Sequence, residues 1–159
     1  MKFNIDGASK GSPKVAGYGG VITDEQGYIK IIFHSHLEKA TNNMVELMAL
    51  EQSLEILIES NLHNTIIEDD SKLIINSVKK ICNGTTPERV SKHWRLLQVY
   101  QRIQSHLRAL RTLNFFHVRR TTNRLADCLA NEGVLCSKIN RRYDWMSTAP
   151  GRLHEDCHR

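Results

Sequence analysis

The chain has 159 residues, about one ordinary domain, enough to bury a core without disulfides or a structural metal. Hydrophobic residues make up 40% and charged residues 25%, as in soluble globular proteins, and no stretch approaches the roughly 18 apolar residues of a membrane helix, so no membrane association is expected. The net charge is +5, and from residue 111 onward 9 basic residues face 5 acidic ones, a bias that suits a polyanionic partner. The start, Met1 to Asp6, enters a strand-like run with no signal-peptide layout, so a reducing, intracellular protein is expected. Cys82, Cys128, Cys136 and Cys157 show no C-x-x-C spacing, so they read as free thiols rather than a zinc knuckle or redox pair.

In chain order, Phe3 and Ile5 alternate with Asn4 and Asp6, which predicts a first strand ending at Asp6. Gly7 and Gly11-Ser12-Pro13 mark a turn. Residues 16–23 predict a glycine-containing second strand, Asp24-Glu25-Gln26-Gly27 a hairpin turn, and residues 28–37 a third strand. From residue 43 to 60 the apolar positions fall at helical spacing. Residues 65–68 predict a short strand, and residues 71–81 a second helix closed by Asn83-Gly84. Thr86-Pro87 opens a long helical region carrying Val90, Trp94, Leu97, Ile103, Leu107 and Leu110. Residues 113–118 predict a fifth strand and residues 123–137 a last helix. Residues 139–159 lack periodicity and contain Pro150-Gly151, so a loose basic tail or linker is expected after a domain spanning residues 1–138. The order βββαβααβα predicts an α/β fold: a hairpin meander, with later strands added in parallel beside the first.

Four acids are placed to converge. Asp6 and Asp70 end strands expected to be parallel neighbours, near the carboxyl edge where α/β sheets commonly carry their sites. Glu46 lies in the first turn of the first helix, and Asp127 one turn into the last. Each has a plainer role available: Asp6-Gly7 is a turn dipeptide, Asn43 and Glu46 have capping-box spacing, Asp70 can cap a helix, and Asp127 can be an exposed helix acid. If the four meet, their mutual repulsion demands a cation, and hard oxygen ligands favour Mg²⁺ or Mn²⁺.

The surroundings of these acids carry more. They are Asn4-Ile5-Asp6-Gly7-Ala8-Ser9-Lys10-Gly11, Gly17-Tyr18-Gly19-Gly20-Val21-Ile22, and Thr41-Asn42-Asn43-Met44-Val45-Glu46-Leu47-Met48-Ala49-Leu50. Asp70-Ser71 follows, then His117-Val118-Arg119-Arg120 leading to Asn123-Arg124-Leu125-Ala126-Asp127. In order and spacing these segments resemble the ribonuclease H family, most closely its reverse-transcriptase-associated, plant retroelement-type branch, over residues 2–133. The resemblance implies a ribonuclease H-like fold, a five-stranded mixed sheet with helices on both faces. It implies hydrolysis of the RNA strand of RNA–DNA hybrids with two Mg²⁺ ions, Mn²⁺ substituting, and products with 5′-phosphate and 3′-hydroxyl ends. Asp6 would bridge both ions, Glu46 and Asp70 would share one, and Asp127 would hold the other, with Asp69 the rival for the place of Asp70. His117 matches a mobile histidine that shuttles protons or aids product release. Asn42 and Asn43 match residues that contact the hybrid backbone; Gly11, Ser12, Lys14, Thr41, Ser71, Lys72, Arg119, Arg120 and Asn123 are further candidate nucleic-acid contacts, and Lys10 and Arg124 further candidates for phosphate.

Departures from the family pattern also carry consequences. Gly11-Ser12-Pro13-Lys14 stands where the family often has Gly-Asn-Pro-Gly, which removes an asparagine contact to RNA and adds bulk. No basic protrusion is evident between residues 82 and 95. Modest affinity follows unless a fused or associated reverse transcriptase or another domain supplies grip; the domain itself is expected to be a monomer. The competing reading is a nucleic-acid-binding or scaffold module of retroelement origin that kept the fold and lost turnover.

Overall fold

Hydrophobic alternation sets the centre of the sheet. In the computed structural model, which describes residues 1–10, 15–136 and 141–144, Phe3 and Ile5 are fully buried on one face of strand β1, Lys2–Lys10. β2, Val15–Thr23, pairs antiparallel with β1, and β3, Ile29–Glu38, pairs antiparallel with β2. The β2–β3 turn forms as expected: Asp24 Oδ1 accepts the N–H groups of Gln26 (3.0 Å) and Tyr28 (2.9 Å), and Gly27 takes φ +85°, a left-handed conformation that suits glycine.

Helix α1, Asn42–Glu59, packs against β1 and β2 and, on its other side, against α4, Trp94–Ala109. Being covered on two sides, α1 buries Val45, Leu47, Leu50, Leu54 and Leu57, and also Glu51, which Arg102 of α4 meets at 2.6 Å and 3.3 Å. β4, Ile66–Asp69, joins β1 in parallel, and β5, Asn114–His117, joins β4 in parallel. Between them lie α2, Lys72–Cys82, and the short α3, Pro87–Val90. The helical region expected from residue 87 is thus two helices. Ser91 is extended at φ −142°, and its Oγ takes the His93 N–H, so the backbone turns before α4 begins.

The opposite face of the sheet is covered by α5, Arg124–Leu135, which packs on β1, β2 and β3. Its approach is close. A Cβ added to Gly17 would lie 2.3 Å from Val134 N, and one added to Gly133 would lie 2.5 Å from Ser35 O. Only glycine leaves room for backbone to meet backbone there.

The expectation of five strands is corrected to six, in the order β5-β4-β1-β2-β3-β6. Arg141–Asp144 forms β6, antiparallel to β3 at Ile31 to His34. Four residues carry too little periodicity to announce a strand. Pairing to the β3 edge makes this one, and Arg142 ties it to the end of α1 through Glu59 (2.8 Å) and Ser60 (2.9 Å). The first strand is also longer than expected: Asp6 does not end it, because the β1–β2 ladder continues to Lys10↔Val15. Among the described residues no helix is long and apolar enough to cross a membrane.

Candidate active site

The parallel pairing of β1 with β4 stops at Asn4↔Glu68, while β1 runs on. Asp6 therefore sits beside the point where β4 ends and the chain turns at Asp70 into α2. Gly7, read from sequence as a turn residue, serves here as a close-approach point. A Cβ on it would lie 2.9 Å from Glu46 N, so its absence lets the first turn of α1 come over the strand and deliver Glu46. The helix caps free the acids for other work. Thr41 Oγ1, not Asn43, accepts the Met44 N–H at the start of α1 (3.2 Å), and Ser71 Oγ, not Asp70, accepts the Ile74 N–H at the start of α2 (3.4 Å).

One oxygen each from Asp6, Glu46, Asp69 and Asp70 gathers in a group whose members all lie within 4.8 Å of one another. Asp6 is buried, with Oδ1 accepting the Gly7 N–H at 2.9 Å, and Asp69 is fully buried. Burial, followed by the charge of Asp70, a hydrogen bond with Asp127 and the charge of Asp69, pushes the Asp6 pKa up to about 8. Burial first and then the charges of Asp69, Asp6 and Asp70 push Glu46 up to about 11. Burial raises Asp69 to about 7 against the opposing pull of the Ser71 N–H. Nothing cationic offsets this burial and mutual repulsion: among the described residues no lysine or arginine pairs with any of the four. Glu46 Oε2 and Asp69 Oδ2 are buried with no hydrogen-bond partner outside the cluster. Carboxylate oxygens that converge with no partner but one another fit a hard divalent cation, which would take the place of protons there.

Asp127, in the first turn of α5, comes from the other face of the sheet close enough to Asp6 to help raise its pKa. Its placement depends on a buried clamp. Asn123 Nδ2 donates to Ile5 O at 2.7 Å, and Asn123 Oδ1 accepts from Asn4 Nδ2 at 3.1 Å; Asn4 Nδ2 also donates to Glu68 at 2.8 Å. Asn123 was expected among the nucleic-acid contacts. It is 1% exposed, with its amide committed to β1, so it holds the start of α5 instead. The sequence did carry a trace of this, since alternation puts Asn4 on the same face as Asp6, but nothing in it announced the partner.

His117 ends β5 opposite Asp69 in the ladder, and its ring is exposed. Its Nε2–H donates to the Asp70 carbonyl at 3.1 Å, since a carbonyl can only accept. Around the carboxylates, Lys10, Thr41, Asn42, Asn43, Lys72, Arg119, Arg120 and Arg124 are exposed and Ser71 is half-buried. Asn42 Oδ1 accepts from Ser9 Oγ at 2.7 Å, and Arg120 stands 3.8 Å from Asp127. Gly11, Ser12 and Lys14 lie outside the described residues.

A mixed sheet with a parallel β1–β4–β5 half, helices on both faces and a carboxylate cluster where β4 ends defines a ribonuclease H-like α/β domain. The sequence pattern of the reverse transcriptase-like family matches residues 4–133, and the chain belongs to the ribonuclease H family in that branch. A ribonuclease HI of Halobacterium salinarum is 30% identical over 130 residues, covering 82% of this chain and 62% of that protein. The crystal structure of RNase H1 from that organism is 28% identical with a TM-score of 0.70, covering 83% of this chain and 95% of the other. A bifunctional protein of Mycobacterium tuberculosis is 29% identical over 138 residues, which is 83% of this chain and 35% of that protein. LC11-RNase H1, solved in complex with an RNA/DNA hybrid, is 27% identical with a TM-score of 0.65, covering 84% of this chain and 95% of that one. The chain thus spans about a third of the mycobacterial relative.

Proposed function

We propose that this domain hydrolyses the RNA strand of RNA–DNA hybrids with divalent cations held by Asp6, Glu46, Asp70 and Asp127. The observation that carries the reading is the gathering of one carboxylate oxygen each from Asp6, Glu46, Asp69 and Asp70 within 4.8 Å of one another, none of these four meeting a lysine or arginine among the described residues. Two Mg²⁺ ions, or Mn²⁺ in their place, would supply Lewis acidity toward the attacking water and the departing 3′ oxygen. The residues supply the frame. Asp6, pinned by the Gly7 N–H on a rigid strand, and Glu46, lowered over Gly7, fix the ligand oxygens with little freedom to lose. Asp127 adds a ligand from the opposite face of the sheet, so the scissile phosphate would lie over the β1–β4 seam.

His117 sits at the rim with Nε2–H on the Asp70 carbonyl and Nδ1 left to take or hand on a proton as the products, a 5′-phosphate and a 3′-hydroxyl, leave. Thr41, Asn42 and Asn43 at the exposed start of α1, with Ser71, Lys72, Arg119 and Arg120, are proposed to contact the hybrid backbone. Gly11, Ser12 and Lys14 are proposed to meet the RNA strand, where 2′-hydroxyl contacts would separate RNA from DNA. A fused or associated domain, such as a reverse transcriptase, would add grip; the domain alone is proposed to be monomeric and intracellular.

The test is cleavage of a labelled RNA–DNA hybrid with Mg²⁺, comparing the wild type with Asp6→Asn. Cleavage by the wild type only, leaving 5′-phosphate ends, is the expected result. Hybrid binding by both proteins without cleavage by either would overturn the enzyme reading and favour a binding module, a reading that Ser12 and Lys14 already motivate.

A further inference from the structure

The four-membered carboxylate group that gathers at the end of β4 is not the quartet that the family resemblance implies. It contains Asp69, which is fully buried, in place of Asp127. Asp69 ends β4 with its side chain on the same side of the sheet as Ile67, a fully buried residue of the core beneath α1. Its two oxygens have different fates. Oδ1 accepts the Ser71 N–H at 3.3 Å and so anchors the turn into α2. Oδ2 is buried with no hydrogen-bond partner outside the cluster among the described residues, and three other carboxylates enter the same space. The neighbour it meets is the Glu46 carboxyl, itself a member of the group, so this oxygen faces the cluster and does nothing for the turn.

We propose that Asp69 is a fifth carboxylate of the centre, a direct ligand through Oδ2 of the cation that Asp6, Glu46 and Asp70 surround. The inference rests on the reading of that centre as a metal site. Ligands about 2.1 Å from an octahedral ion lie at most about 4.2 Å apart. Oxygens already within 4.8 Å of one another therefore close on an ion through small side-chain rotations. Asp69 and Asp70 need not compete for one role. They are successive residues on a turning backbone, and both offer an oxygen to the same group. The consequence is one more negative charge at the cation than the quartet supplies, hence tighter binding and fewer coordinated waters.

The experiment titrates Mn²⁺ into the full chain by calorimetry for the wild type, Asp69→Asn and Asp6→Asn. It also counts coordinated waters from Eu³⁺ luminescence lifetimes in H₂O and D₂O. Asp69→Asn is expected to weaken Mn²⁺ binding by more than the roughly 10- to 100-fold that loss of an outer-shell partner brings, and to admit about one additional water to Eu³⁺, with far-UV circular dichroism unchanged. Binding by Asp69→Asn as tight as wild type, or weaker binding with an unchanged water count, would overturn the ligand role. No saturable Mn²⁺ binding by the wild type would overturn the metal centre itself, a different failure. Asp69→Ser, which keeps an acceptor for the Ser71 N–H, replaces Asp69→Asn if the latter does not fold.

Discussion

Removing the Asp6 charge is expected to make the metal-free protein more stable, and the gain should grow with pH. In the folded state burial holds the Asp6 proton to about pH 8, whereas the ordinary value is 3.8. Folded protein therefore binds more protons than unfolded protein between those limits. Unfolding free energy falls as pH rises through that window, because its slope follows protons bound unfolded minus protons bound folded. One pKa unit is worth about 1.4 kcal/mol, so between pH 5 and pH 8 Asp6 accounts for a loss on the order of 4 kcal/mol. Asp69, raised to about 7, and Glu46, raised to about 11, act in the same direction. For a domain of this size the Asp6 contribution corresponds to a drop in Tm of about 10 °C. The assay is urea denaturation in EDTA at pH 5 and pH 8 for the wild type and Asp6→Asn, repeated with Mg²⁺. Wild type should lose stability toward pH 8 and regain it with Mg²⁺. Asp6→Asn should be flatter, more stable than wild type at pH 8 in EDTA, and less responsive to Mg²⁺. Equal wild-type stability at both pH values, or an Asp6→Asn protein less stable at pH 8, would refute the claim that uncompensated burial dominates this site.

Two further substitutions probe the supports of Asp127. Gly17→Ala sets a Cβ 2.3 Å from Val134 N and 2.4 Å from Gly133 C, both backbone, so α5 must shift; a loss of about 1–3 kcal/mol in urea melts is expected, together with weaker Mn²⁺ binding. Asn123→Ala leaves the buried Ile5 carbonyl and the Asn4 amide short of a partner and is expected to cost about 1–3 kcal/mol. The same substitution should lower Mn²⁺ affinity in calorimetry, although Asn123 is not among the converging carboxylates.

Much of the site was legible before any coordinates. Asp6, Glu46 and Asp70 were named from strand ends, a first helical turn and a family resemblance, and they do converge. Asp127 lies beside Asp6 and outside the four-carboxylate group. The standing of Asp69 was not legible, because two adjacent acids at a strand end look alike until the direction of the turn into α2 is known. The burial of Asn123 is illegible for the same kind of reason: a polar residue before a helix suits an exposed contact, and only the packing of α5 on β1 covers it.

The amino-acid pattern by itself determined the kind and order of the first five strands and the main helices, because hydrophobic period two or 3.6 is a property of neighbours in the chain. It also determined the hairpin at Asp24–Gly27, whose bonds are local. Tertiary structure alone decided β6, whose four residues become a strand only by pairing with β3, and the break between Val90 and Trp94. It alone decided which acids share one buried space, since that depends on how closely backbones approach at Gly7, Gly17 and Gly133. Those approaches join segments far apart in sequence, and no local period records them.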